Sequence, residues 1–301
     1  FDSSCNLLRS DQGVHGVGTF QKIFAECCHE RAMRMATLRM KVYLNAPDGN
    51  TSNCPRSKEY LVPWSTDLMS GKSVELFEPD SANPPRAVVM FLHGYDGVTL
   101  RDNGIFTDLL NKHELACLSP LGPGCWWTDR VYPPFDPKVS PVDFLFQHIP
   151  EFCKTRWNLD LDKIGLTGVE MGGQGALQLA YRHARQFSVV AAVAPKVDFE
   201  SWYGHGTTLD EIFSDREAAR QATAILHIHP LNWPKHQFLL CDPADVYSFD
   251  GVMTLASKLS STGIPFETDF VSTHGGFGWN YANAMAKPVI EFLAKSLNAS
   301  H

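Results

Sequence analysis

Residues 168–176 (GVEMGGQGA) constrain the fold of this chain more than any other stretch. They follow a short apolar run at 163–167 and precede a helix-like run at 177–183, which predicts strand, tight turn and helix in that order. Glycines at 168, 172 and 173 let the turn be sharp and let the two elements approach closely. The same context surrounds the G-x-S-x-G turn, in which a serine nucleophile stands between glycines. Here that position is Glu170.

The rest of the chain alternates strand and helix patterns. Strands are predicted at 73–77, 87–92, 115–118, 189–194, 237–241 and 266–271, and helices at 144–157, 211–226, 252–260 and 282–297. The alternation predicts an α/β fold, a doubly wound and mostly parallel sheet with helices on both faces. Residues 45–72 are predicted to be a loop. We expect a helical N-terminal extension at 1–45 and one α/β domain at 46–301.

Polar groups follow several predicted strands. The strand predicted at 87–92 runs into His93-Gly94, and after such a strand the backbone N–H of the next residue, here Tyr95, forms half of an oxyanion hole. The backbone N–H of Met171, which follows Glu170 at the tip of the turn (the elbow), forms the other half. Past the strand at 237–241, Asp245 is the first choice for a triad acid and Asp242 the second, with turn capping as the alternative role for both. The residues His93, Trp126, Trp127 and Trp279 are candidates for a pocket lining, and simple loop packing is the alternative for the two adjacent tryptophans.

From about residue 73 to 297 the chain resembles the esterase branch of the α/β-hydrolases that includes S-formylglutathione hydrolases and feruloyl esterases. The motifs that carry the resemblance are FLHG at 91–94, WWTDR at 126–130, GVEMGGQGAL at 168–177, HIHPLNWP at 227–234, CDPAD at 241–245 and GGFGWNY at 275–281. The family elbow G-x-S-M-G-G puts the nucleophile at Glu170, and the family motif G-G-H-x-W puts the catalytic histidine at Phe277. The resemblance therefore implies an α/β-hydrolase fold in which only the triad acid, Asp245 or Asp242, is kept.

These substitutions predict loss of esterase chemistry. The carboxylate of Glu170 is expected to reach into the oxyanion hole, which favours an anion, and a filled hole cannot stabilise a tetrahedral intermediate. We therefore expect a catalytically inactive esterase-like protein, a pseudoenzyme that acts as a structural or binding subunit of a larger assembly. The first alternative is an active carboxylic-ester hydrolase that uses Glu170 with His274 as base. The second is a small-molecule-binding pseudoenzyme with its ligand near Trp126 and Trp127.

Composition excludes several other classes. The net charge of -7 argues against nucleic-acid binding through a basic surface. No apolar run of about 18 residues occurs, so no transmembrane segment is expected. There is no C-x-x-C pair in the sequence, and neither a metal site nor a cofactor is predicted. Cys117 and Cys241 end apolar runs and are predicted to be core thiols.

The N-terminal region carries the predicted partner contact. Apolar residues at helical spacing predict an amphipathic helix: Phe20, Ile23, Phe24 and Cys27. Packing on the domain is one interpretation. Docking of a protein partner through residues 20–40 is the other, supported by Arg31, Arg34 and Arg39. Because the chain begins at Phe1, we expect a processed N-terminus or a fragment. We expect the protein to belong to an organellar or membrane-peripheral complex rather than to be secreted.

Overall fold

A computed structural model describes residues 64–81 and 83–299 of the 301-residue chain. It contains one eight-stranded sheet in the order β1-β2-β4-β3-β5-β6-β7-β8. The strands are β1 Trp64–Met69, β2 Lys72–Phe77, β3 Ala87–Leu92, β4 Leu115–Pro120, β5 Ile164–Val169, β6 Val189–Val193, β7 His236–Leu240 and β8 Glu267–Asp269. The pairs β1–β2 and β2–β4 are antiparallel, and the other five pairs are parallel.

Helices connect the strands. They are α1 Gly104–Lys112, α2 Pro141–Trp157, α3 Met171–Arg182, α4 Phe199–Trp202, α5 Leu209–Ile212, α6 Arg216–Gln221, α7 Phe249–Ser261, α8 Trp279–Ala284 and α9 Ala286–Ala299. Two 3₁₀ turns, Leu161–Lys163 and Ala224–His227, complete the connections. The side chains of Asn103 and Ser140 accept hydrogen bonds at the N-termini of α1 and α2, which satisfies backbone donors there.

The core lies on both faces of the sheet. Alternate residues of β3 point to opposite faces, as strand geometry requires. Met90 packs in the cluster that includes α2 and α3, whereas Phe91 packs in the cluster that includes α1, α8 and α9. Every residue of β3, β4, β5 and β6 is buried. Such continuous apolar strands are expected where helices cover both faces of a parallel sheet.

The predicted fold class is confirmed: the sheet is mostly parallel and helices lie on both of its faces. The prediction of a loop over 45–72 is wrong for its last part, because Trp64–Met69 is an edge strand joined to β2 by a hairpin. Its four central residues are exposed, so no hydrophobic alternation marks it. Residues 1–45, the predicted partner helix at 20–40 and most of the predicted loop lie outside the described residues.

Two predicted helices are divided in the structure. The single helix predicted at 211–226 is wrong: α5 ends before Phe213, whose backbone is extended, and α6 begins after Asp215, which accepts a hydrogen bond from the Ala218 N–H. The helix predicted at 282–297 is interrupted at Met285. Pro288 cannot donate the hydrogen bond that would continue α8 into α9. None of the described helices is long and apolar enough to cross a membrane.

Candidate functional site

Glu170 stands alone between β5 and α3, at the carboxyl edge of the sheet. Its φ is +55° and its ψ is -116°, a conformation that non-glycine residues rarely adopt. Gly172 makes the turn possible, because a Cβ there would lie 1.8 Å from the carbonyl oxygen of Leu92. A Cβ on Gly168 would lie 2.4 Å from the carbonyl carbon of Gly172. The turn is therefore as tight as the glycine spacing indicates, and it presents Glu170 at its tip.

The carboxylate of Glu170 points at the loop that follows β3. Its Oε2 atom accepts a hydrogen bond of 3.2 Å from the Tyr95 N–H. Gly94 leaves room for this contact, because a Cβ on Gly94 would lie 2.7 Å from the same oxygen. β5 lies beside β3 in the sheet, and β4, the strand that follows β3 in the chain, lies on the opposite side of β3. Such a reversal of strand order is where α/β sheets bind their ligands, and here the side chain of Glu170 stands at that place.

Lys196, which belongs to none of the sequence motifs, completes the arrangement. It follows β6, and its Nζ lies 3.7 Å from the Oε1 of Glu170. The residue is 3% exposed. Its ammonium also lies over aromatic rings, 3.9 Å from the centroid of Trp202, 4.6 Å from that of Phe277 and 5.6 Å from that of Tyr247. Contacts of this kind contribute about 0.5 to 2 kcal/mol each.

Burial dominates the electrostatics of the Glu170–Lys196 pair. Removal from water raises the pKa of Glu170, although Lys196 and the Tyr95 N–H act in the opposite direction. Removal from water lowers the pKa of Lys196, against the opposing charges of Glu170 and Asp245. Both shifts favour the neutral forms, because a buried charge loses its hydration. The two groups are therefore closer to exchanging a proton than a carboxylate and an ammonium at the surface.

Asp245 and Asp242 follow β7 and have different surroundings. Asp245 is 1% exposed, and its charge acts on Lys196. Its Oδ1 accepts hydrogen bonds from the N–H groups of Tyr247 and Ser248. Its Oδ2 is buried and accepts no hydrogen bond from the described residues. In a triad, the acid uses one oxygen to accept a hydrogen bond from the catalytic histidine, so Oδ2 of Asp245 is a free acceptor in a suitable place.

Asp242 instead organises the loop between β8 and α8. Its carboxylate accepts hydrogen bonds from the N–H groups of His274 and Gly276 and from the hydroxyl of Thr273. It also accepts one from the Ala244 N–H. Burial alone raises the pKa of Asp242, but these hydrogen bonds together outweigh it, and the pKa lies below its ordinary value. Asp242 is thus fully used as a structural acceptor.

Phe277 and His274 lie on the loop that Asp242 holds. The ring of Phe277 is 5.9 Å from that of Tyr247 and covers the ammonium of Lys196, so the position assigned to a catalytic histidine faces the pair. His274 is exposed, and its ring lies near Tyr281, with 6.5 Å between centroids. Within 64–81 and 83–299, no hydrogen bond joins the imidazole of His274 to Glu170. The structure therefore brings Phe277 to the site and does not bring the His274 ring there.

The candidate pocket residues have structural partners. His93 is buried, and its Nδ1 donates to the Gly94 carbonyl while its Nε2 accepts from the Gly122 N–H. Trp126 and Trp127 are both buried in the core, and the Trp127 indole donates to the His93 carbonyl. Trp279 donates to Asp96. This burial favours loop packing over pocket lining for the tryptophan pair.

The described residues carry no serine, cysteine or imidazole side chain hydrogen-bonded to Glu170, and none of their clusters of His, Cys, Asp and Glu could hold a metal ion. Two surface depressions, of about 540 and 470 Å³, lie elsewhere. The second is polar and includes Arg182, His183 and His227. Neither is lined by Glu170 or Lys196. At the elbow, the charged groups of Glu170 and Lys196 are directed at each other.

Comparisons with known proteins give matches among solved structures. No protein-family model and no curated protein matches the sequence. An S-formylglutathione hydrolase from Agrobacterium tumefaciens is 16% identical with a TM-score of 0.64, covering 80% of this chain and 99% of that chain. A ferulic acid esterase is 15% identical with a TM-score of 0.62, covering 77% and 98%.

A third similar structure is an S-formylglutathione hydrolase from Staphylococcus aureus, 13% identical with a TM-score of 0.61, covering 77% of this chain and 98% of that chain. Identities at this level establish the fold and leave the chemistry to the residues of the site. The chain has the α/β-hydrolase fold, in the form found in S-formylglutathione hydrolases and ferulic acid esterase.

Proposed function

We propose that this chain is a catalytically inactive protein with an α/β-hydrolase fold that acts as a structural or binding subunit of a larger assembly. One observation carries the proposal: the Oε2 of Glu170 accepts the hydrogen bond of the Tyr95 N–H. In an acyl-transfer enzyme that donor must be free for the oxygen of the tetrahedral intermediate. In this chain a side chain of the protein already uses it.

The remaining catalytic groups support the same conclusion. A carboxylate at the elbow could form an ester intermediate, but its hydrolysis needs a base to activate water. The aligned base position holds Phe277, whose ring has no atom that can accept a proton, and the ring of His274 lies near Tyr281 instead. Loss of triad members lowers rates by about 10⁴ to 10⁶. With two of three absent, the rate of ester hydrolysis should approach background.

A binding role is supported by exposed apolar side chains next to Lys196. Tyr247 is 55% exposed, Val246 is 81% exposed, and the ring of Tyr247 contacts that of the partly exposed Phe277. A protein that catalyses no reaction does not need to keep the surface at Val246, Tyr247 and Phe277 accessible to a substrate. Exposed apolar clusters commonly mark contacts with other proteins. The N-terminal residues 20–40 are the other proposed attachment surface.

An active ester hydrolase is the second candidate, because the similar structures are hydrolases by name. A panel of short-chain aryl and thioesters, assayed with the purified chain and Glu170→Gln, separates the two. The proposal expects equal, background rates for both proteins. Turnover by the original chain that disappears in Glu170→Gln would establish the hydrolase instead.

The subunit role needs a separate measurement. Purification of the full-length protein under native conditions, followed by light scattering on a sizing column, should give a mass well above that of one chain and a co-purifying partner. Deletion of residues 1–40 should return the mass to one chain while circular dichroism shows an unchanged fold. A monodisperse single chain at every concentration would contradict the subunit role.

A further inference from the structure

We propose that Lys196 and Glu170 join through an intramolecular amide bond between Nζ and Cδ, with the release of one water molecule. The bond would tie the turn after β5 to the segment after β6. It would form whether or not the protein binds a partner. The side chains that carry it are Lys196, Glu170 and Asp245.

The backbone presents the two side chains to each other. The Glu170 N–H donates to the Val193 carbonyl at 3.0 Å, and the Lys196 N–H donates to the Glu170 carbonyl at 3.2 Å. The side-chain atoms Nζ and Oε1 are then 3.7 Å apart, which places the amine against the carboxyl group whose carbon, Cδ, it would attack. Intramolecular groups whose reacting atoms come within about 3 to 3.5 Å of each other in a suitable orientation react as if present at about 10⁵ to 10⁸ M. Such proximity offsets the low intrinsic tendency of amines and carboxylic acids to condense in water.

The surroundings favour the reactive forms. Lys196 is almost fully buried, with its ammonium against the rings of Trp202 and Phe277. Burial lowers the pKa of the Lys196 ammonium and raises that of the Glu170 carboxyl. Moving one proton from the ammonium to the carboxylate gives a neutral amine beside a neutral carboxylic acid. A neutral amine has the lone pair that attack requires.

The elbow also retains a donor suited to the tetrahedral intermediate. The Tyr95 N–H binds Oε2, the oxygen that would become negative when the Nζ lone pair forms a bond to Cδ. The other oxygen, Oε1, faces Nζ and takes the proton when the amine becomes neutral. The hydrogen bond from the Tyr95 N–H occupies the donor that an ester intermediate would need. The same hydrogen bond polarises the carboxyl group of Glu170 for attack by an internal amine.

Asp245 stabilises the charge that forms on the nitrogen. It is buried, its Oδ2 has no hydrogen-bond donor among the described residues, and its charge acts on Lys196. After Nζ attacks, one proton passes from the positively charged nitrogen to the Oε1 hydroxyl that faces it. The Cδ–Oε1 bond then breaks and water leaves. The electron pair on Oε2 re-forms the carbonyl, and an amide N–H remains.

Mass spectrometry of the reduced, denatured full-length chain tests the proposal. We expect a mass lower than that of the sequence by one water molecule. Trypsin should fail to cleave after Lys196, so residues 164–182 should appear covalently linked to residues 186–216. A full sequence mass after prolonged incubation of the folded protein, with normal cleavage after Lys196, would overturn the proposal.

Substitutions test which residues form the amide bond and whether Asp245 assists its formation. Lys196→Arg, which keeps the charge but removes the amine, should restore the full sequence mass, whereas the exposed control Lys258→Arg should retain the deficit. A deficit that persists in Lys196→Arg would place the lost water elsewhere and refute the cross-link. Asp245→Asn keeps both linked residues and should lower the rate of bond formation at least tenfold. An unchanged rate in that variant would overturn the assignment of Asp245 as the charge that stabilises the nitrogen.

Discussion

The Oε1 of Glu170 lies 3.7 Å from the Nζ of Lys196, across the carboxyl edge of the sheet. Glu170 follows β5 and Lys196 follows β6, and these strands pair in parallel, so their ends meet at one edge. The second carboxylate oxygen of Glu170 is held by the Tyr95 N–H. Each oxygen therefore has a partner inside the protein, and the tip of the turn faces the fold rather than a substrate.

Removal of Lys196 should destabilise the protein more than removal of both partners. Lys196→Met leaves the Glu170 carboxylate without its counter-charge and should lower the free energy of unfolding by about 2 to 4 kcal/mol. In Glu170→Gln/Lys196→Met neither member of the pair carries a charge, and the loss should be at least about 1 kcal/mol smaller. Urea denaturation of both variants measures the difference. Equal losses would show that the pair is not coupled.

Restoration of esterase activity should require three substitutions. Glu170→Ser frees the Tyr95 N–H, and Phe277→His supplies a base that can donate to the free Oδ2 of Asp245. In this double variant Lys196 would remain beside Asp245 and compete with the new imidazole for it. Addition of Lys196→Ala should raise the rate at least about tenfold over the double variant, in the non-additive manner of residues that act as a unit.

Initial rates on one aryl ester decide this prediction. Both single variants, Glu170→Ser and Phe277→His, should remain at background because each lacks a nucleophile or a base. If Glu170→Ser alone equals the triple variant, another group is the base and the position of Phe277 has been misassigned. A triple variant that is folded but inactive would show that the chain lacks further groups needed for catalysis, beyond those at positions 170, 196 and 277.

The sequence predicted the fold because the strands are buried on both faces. The apolar run at 87–92 corresponds to Ala87–Leu92 without any change of bounds, since every residue in it contacts the core. The sequence of edge strand β1 has no such apolar run, because its central residues face solvent. The breaks at Phe213 and Met285 depend on local backbone geometry that periodicity does not reveal.

The site was only partly predictable for a related reason. Glycine spacing marks the turn at Glu170, since only glycine fits where Gly172 approaches Leu92. Lys196 belongs to no motif, and its contact with Glu170 exists only because β5 and β6 are neighbours. The available signal was a lysine two residues after the apolar strand predicted at 189–194, where a buried charge requires a partner.

Gly172→Ala should prevent the turn from forming. The added Cβ would lie 1.8 Å from the Leu92 carbonyl oxygen, a backbone atom that cannot move without displacing β3. We expect a loss of at least about 4 kcal/mol in the free energy of unfolding, seen as a lower Tm or as insoluble protein. Gly104→Ala is the matched control, because a Cβ there has nothing within 4 Å, and its effect should stay within about 0.5 kcal/mol. Similar effects of the two variants would contradict this account of the elbow.

Asp242→Asn should destabilise the protein in a pH-dependent way. The folded-state pKa of Asp242 is below its ordinary value, because the hydrogen bonds to its carboxylate outweigh the effect of burial. A carboxyl group with a lowered folded-state pKa contributes stability above its unfolded-state pKa of about 3.9, and this contribution disappears as pH falls through the folded-state pKa. At pH 7 the variant loses acceptors for the N–H groups of His274 and Gly276, which should lower the free energy of unfolding by about 2 to 4 kcal/mol.

The difference in the free energy of unfolding between the original chain and Asp242→Asn should therefore be constant from about pH 5 to pH 8 and shrink below about pH 4. Urea denaturation across this range measures it. The exposed Asp80→Asn is the control and should change stability by no more than about 0.5 kcal/mol at any pH. A difference that grows as pH falls would mean that Asp242 is destabilised in the folded state, and that the loop carrying His274 and Phe277 is held by other contacts.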